Sequence, residues 1–181
     1  MAPARRLSTR ILLTCAAIGV ATGVLQIAGG AVGGAVSATI PVLYGLILGV
    51  HVLPGVIAQQ LLRMPWVALI THTIAALVAS AATPLWIGRY LGTALLIGGL
   101  QEGIAALSRY RLWGTWRFLV SAAIVGAVIA VPIGFLADVG KFTVWARILY
   151  LALFVIGPIL WTLVGLAVGS ALRRAGIAPT R

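Results

Sequence analysis

The stretch VLYGLILGVHVLPGVIAQQLLRMPWVALITHTIAALVASAA, residues 42–82, carries one charged side chain, Arg63, and no acid. Its two apolar runs meet at Arg63-Met64-Pro65. A hydrocarbon core about 30 Å thick needs about 20 apolar residues of helix to cross it. Residues 42–62 and 65–82 each come close to that length, and the short break between them makes them antiparallel neighbours. Alternation of polar and apolar residues, the mark of a membrane β-barrel, is absent. The stretch therefore reads as two consecutive transmembrane helices.

Four further segments match the pattern, at 7–27, 90–107, 118–136 and 148–172. The composition agrees: 62% of the 181 residues are hydrophobic and 8% are charged. A soluble domain carries roughly a quarter charged residues, so a water-facing surface cannot be covered. The expected fold is an all-α integral membrane bundle of six spans, forming one domain over residues 1–181. Arg5 and Arg6 followed by an apolar run imitate a signal peptide, but the run continues past Gly23, and it reads as a retained helix.

The net charge of +11 would ordinarily suggest nucleic acid. Sorted by loop, the cations give a different answer. Arg5, Arg6, Arg10, Arg63, Arg109, Arg111, Arg117, Arg173, Arg174 and Arg181 fall on one side, and Arg89, Lys141 and Arg147 on the other. The positive-inside rule then places both termini in the cytoplasm. The expected location is a bacterial plasma membrane, with the lipid bilayer and not nucleic acid as the charged partner.

The polar side chains at membrane depth are few. His51, His72 and Glu102 fall within the second, third and fourth spans, with Gln101 beside the acid. Ionisable groups there are costly, about 2.5–3.5 kcal/mol at the centre of a helix on insertion scales, and usually mark sites. One reading is a ligand pocket in which Glu102, Gln101, His72 and His51 supply hydrogen bonds and Tyr44, Trp86 and Tyr90 stack on a planar ring. The other is a structural cluster in which Glu102 satisfies groups of its own chain. Gln59 and Gln60 read as solvated near the inner interface. The outer loop 29–41, with Gly-Gly twice, reads either as a connector or as a flexible cover. Cys15 reads as a packing residue.

Small residues four apart permit close helix approach. Cys15, Gly19 and Gly23 form one such face of the first span, and Ala17 and Ala21 another. Ala17, Ala21, Gly19 and Gly23 together make a candidate partner interface. Ala122, Gly126 and Ala130 in the fifth span read as internal packing. No phosphate loop, zinc motif or nucleophile elbow occurs, so no enzymatic activity, no cofactor and no metal site is expected.

Several motifs together resemble the substrate-binding S component of energy-coupling factor (ECF) transporters, in the thiamine/hydroxymethylpyrimidine (YkoE-like) branch. They are Pro41-Val42-Leu43-Tyr44-Gly45-Leu46, Leu53-Pro54-Gly55, Leu61-Leu62-Arg63-Met64-Pro65 and Gly98-Gly99-Leu100-Gln101-Glu102-Gly103. The resemblance implies a vitamin-capture subunit of an ABC importer, working with a coupling transmembrane subunit and ATPase subunits. It also implies that Ala17-Ile18-Gly19-Val20-Ala21, an Ala-x-x-x-Ala pattern, meets the coupling subunit. The chain departs from the branch where His72 and Ala79 stand in place of glutamates, and where Gln101 replaces glycine. One acid suits cationic thiamine less than several would, which leaves a neutral pyrimidine precursor as an expectation. The alternatives are a structural or assembly subunit without a ligand, and a small independent secondary transporter.

Overall fold

The computed structural model describes residues 7–177. Arg5, Arg6 and Arg181, used in the charge sorting, lie outside them. Among the described residues every regular element is helical. The α-helices are α1 (Thr9–Thr39), α2 (Tyr44–Leu48), α3 (Leu53–Leu62), α4 (Val67–Ala82), α5 (Ile87–Leu107), α6 (Thr115–Leu136) and α7 (Val144–Arg174). Helices α2 and α3 form one span, Pro41–Leu62, joined through a 3₁₀ segment at Gly49–Val52. Five helical stretches are long and apolar enough to cross a membrane, and α4 is a shorter apolar helix beside them.

The first span is longer than the sequence suggests. Residues 29–39, read as a loop, continue α1 to Thr39. Where no water is at hand, backbone groups are best satisfied within a helix, and that outweighs the weak helix preference of glycine. The glycines there make room for neighbours. A Cβ at Gly33 would lie 3.1 Å from the Tyr44 ring, and one at Gly29 would lie 2.9 Å from Val50.

The second span changes character at Pro54. Proline lacks an N–H and crowds the carbonyl four residues earlier, here that of Val50. The chain tightens into the 3₁₀ turn Gly49–Val52, and α3 restarts with Pro54 in its first turn. His51 sits on that turn. The link to α4 is compact: Arg63 and Trp66 both take left-handed backbone conformations.

Close glycine contacts hold the bundle, as expected where lipid supplies little hydrophobic drive between helices. Gly45 and Gly49 cross α7 at Phe154 and Gly157, and a Cβ at Gly45 would lie 2.6 Å from the Phe154 ring. Ala122, Gly126 and Ala130 are buried, with Gly126 against the Phe154 backbone. Gly19 and Gly23 press on α4, where a Cβ would come within 2.7 Å of Ile74 and 2.8 Å of Val78. These two glycines are therefore packing residues and are not available to a partner, a correction to the four-residue interface read from sequence. Cys15 is fully buried.

Candidate functional site

A cavity of about 600 Å³ lies at the end of the bundle where α4 gives way to α5. Ile27 to Ala31 of α1, the stretch from Tyr44 to His51, and Ile129 to Ile133 of α6 close three sides. Thr83, Trp86, Arg89, Tyr90 and Thr93 close the fourth. The glycine-rich part of α1 thus does border the cavity, but as helix and not as a loop.

The polar groups of this cavity are few and specific. Arg89 Nη2 donates to Tyr44 Oη at 3.1 Å. The Arg89 guanidinium carbon stands 5.4 Å from the centroid of the Trp86 ring, within cation–π range. Thr83 Oγ1 and Tyr90 Oη are 3.4 Å apart. His51 lies on the wall and makes no hydrogen bond to a described residue. Beneath it a much smaller void is lined by Gln26, His51, His72, Tyr90, Thr93 and Ala94.

Tyr44, His51, Trp86 and Tyr90, anticipated from sequence, therefore meet in one cavity. His72 is next to it, behind His51. Gln101 and Glu102 do not line it. Gln101 Nε2 donates to the Val52 carbonyl at 3.1 Å, and its Oε1 accepts from His72 Nε2 at 3.0 Å. With Oε1 as acceptor, His72 carries its proton on Nε2. The chain of contacts continues from Gln59 Nε2 to the Gln101 carbonyl (3.4 Å) and from Arg117 Nη2 to Gln59 Oε1 (3.1 Å). Arg117 is also stacked on Phe118 and Trp113, 4.1 and 4.8 Å from the ring centroids. This buried polar chain ties α3, α4, α5 and α6 together.

Glu102 serves the opposite end of the bundle. Its Oε1 accepts from the Ala68 backbone N–H at 2.7 Å, and its Oε2 accepts from Tyr110 Oη at 3.2 Å. Ala68 is in the first turn of α4, where backbone donors lack helical partners and negative charge is favoured. Arg109 and Tyr110 both have positive φ, so the chain folds back over the end of α5 and brings the phenol to the carboxylate. Burial, and then the neighbouring Glu102, push the Tyr110 phenol up to about 12, so it remains a donor. The acid that the sequence places in a ligand pocket is thus a helix cap. Gln59 and Gln60, read as solvated, are buried too. Gln60 Nε2 donates to Ser170 Oγ at 3.1 Å.

Arg89 is the cavity residue that sequence reading passed over. The charge sorting places it with Lys141 and Arg147, but Trp86 and Arg89 at the start of a helix, with Tyr90 beside them, are a usable signal.

A family model described as "ABC-type cobalt transport system, permease component" matches residues 10–128. The chain belongs to this family. A crystal structure described as an S-component of an ECF transporter aligns with a TM-score of 0.85. The two are 18% identical, and the alignment covers 94% of this chain and 88% of that one. The chain therefore has the ECF S-component fold. No curated protein matches the sequence.

Proposed function

We propose that the chain is the membrane-embedded substrate-capture subunit of an ECF-type importer, in which a small planar heterocycle of vitamin or precursor size enters the cavity at Tyr44, His51, Trp86 and Tyr90. The observation that carries this reading is the cavity itself. Its volume of about 600 Å³ falls in the range of small-molecule sites, about 300–1,000 Å³.

Both termini lie in the cytoplasm in this reading, which turns the cavity outward. The support is the charge sorting: Arg89, Lys141 and Arg147 stand at the cavity end and the remaining described cations at the other. Ala17 and Ala21 contribute to the surface that meets the coupling subunit. Both are exposed on α1, and they border an apolar groove of about 620 Å³ shared with α3 and α7. The coupling and ATPase subunits are separate chains that deliver the ligand.

The lining narrows the cargo. It includes no carboxylate, so cationic thiamine finds no counter-charge there, while a neutral or anionic precursor meets no opposing charge. Cobalt, named in the family description, finds His51 as the lone conventional metal ligand in the cavity. No group of three or more His, Cys, Asp or Glu that could hold a metal ion occurs among the described residues. The test is uptake of a vitamin panel by cells expressing this chain with ECF coupling and ATPase subunits. The reading expects ATP-dependent uptake that the chain alone does not support; uptake by the chain alone in liposomes would instead make it an independent transporter.

A further inference from the structure

We infer that the ligand carries an anionic group, a carboxylate or phosphate, which is received by Arg89 beside the Tyr44 hydroxyl. This rests on the capture reading and names its substrate class.

The argument begins with a shortage of acid. The whole sequence holds two acidic side chains, and both are described. Glu102 is committed to the Ala68 N–H and to Tyr110. Asp138 forms an ion pair with Lys141. Arg89 is therefore left without a carboxylate partner among the described residues. Its contacts are a neutral phenol and the face of an indole. Such contacts orient a guanidinium but leave its charge uncompensated. Guanidinium groups present a fork of donors matched to carboxylate and phosphate.

Arg89 is exposed at the mouth of the cavity. It lines the cavity together with His51 and Tyr44. The Tyr44 hydroxyl accepts from Arg89 and has its own proton to give, so the two present donors to the same region. Trp86 covers the guanidinium on one side and offers an apolar face for the ring of a ligand. No acid in the lining opposes an anion. The same arrangement disfavours a cation, which would meet Arg89 with nothing to balance it.

A charge series on one ring tests the inference: benzoate, benzamide and benzamidinium, titrated by calorimetry into the purified full chain in lipid nanodiscs. Benzoate is expected to bind at least tenfold more tightly than benzamide, with benzamidinium weakest. Arg89→Gln should lower benzoate affinity at least tenfold, to the benzamide level. Arg147→Gln removes the same charge from the same end of the bundle, away from the cavity, and should leave benzoate binding unchanged. Thermal unfolding of each variant confirms that it is folded. A flat or reversed order, no binding of benzoate, or benzoate binding untouched by Arg89→Gln overturns the inference. Benzamide or benzamidinium binding in preference to benzoate would leave the capture reading standing while removing the anion. Silence from all three probes removes the anion as well, and the vitamin panel then decides capture separately.

Discussion

Gly55→Ala probes the polar chain that holds the middle of the bundle. A Cβ at this position would stand 1.8 Å from Gln101 Oε1, 2.8 Å from His72 Nε2 and 2.9 Å from Ala68 Cβ. The Gln101 amide would have to leave, and it holds both the Val52 carbonyl and His72. Each buried hydrogen bond left unmade costs about 1–3 kcal/mol. Crowding in a packed interior adds about 1–3 kcal/mol, and the better helix propensity of alanine returns about 1 kcal/mol. The net loss is about 2–8 kcal/mol, enough at this chain length to lower the unfolding midpoint by roughly 4 °C or more. Thermal unfolding in nanodiscs measures it. Gly99→Ala is the control, since a Cβ there meets nothing within 4 Å and should be neutral or slightly stabilising. In a Gln101→Ala background the cost of Gly55→Ala should shrink, because the first clash is gone. A wild-type midpoint for Gly55→Ala, or an equal drop for Gly99→Ala, would refute the reasoning.

Further expectations concern the cap, its pH dependence and the outer face of α1. Glu102→Ala leaves the Ala68 N–H and the Tyr110 hydroxyl unpaired and should cost about 2–4 kcal/mol of stability, as hydrogen bonds to charged groups do; calorimetry on the folded fraction should find ligand affinity unchanged. The Tyr110 phenol, at about 12 against an ordinary 10.0, binds its proton more tightly in the folded state. Its contribution is complete below the unfolded value and fades as pH rises from 10 toward 12. Unfolding midpoints should therefore fall more steeply over that window in wild type than in Tyr110→Phe. Ala17→Leu with Ala21→Leu alters exposed positions and should leave stability and ligand binding intact while reducing co-purification with the coupling subunit.

The fold was legible because the bilayer enforces it. Continuous apolar runs of span length, broken at Arg63-Met64-Pro65, admit little besides a helical bundle. The end of α1 was misread because Gly-Gly suggests a loop in water, whereas in this bundle those glycines seat Tyr44 and Val50. The site was legible in part. Tyr44, His51, Trp86 and Tyr90 were marked by type and depth, and they do converge on the cavity. Glu102 misled because a lone intramembrane acid signals a ligand only when its own chain leaves it unpaired. Its real partners are a backbone N–H of α4 and a phenol reached through two left-handed residues, neither of which any spacing rule exposes. Arg89 was missed for the opposite reason: counting it for topology hid the fact that no acid remained to neutralise it.

The most direct test of the account is equilibrium binding of a vitamin panel, hydroxymethylpyrimidine and thiamine included, to wild type and to Gly92→Trp. Gly92 borders the cavity, and a Cβ there meets nothing within 4 Å, so a side chain can be added at its mouth without a clash at the Cβ. The account predicts a micromolar or tighter ligand for wild type, lost in Gly92→Trp at an unchanged unfolding midpoint. Absence of any ligand, or a ligand bound equally well with the cavity filled, would contradict it.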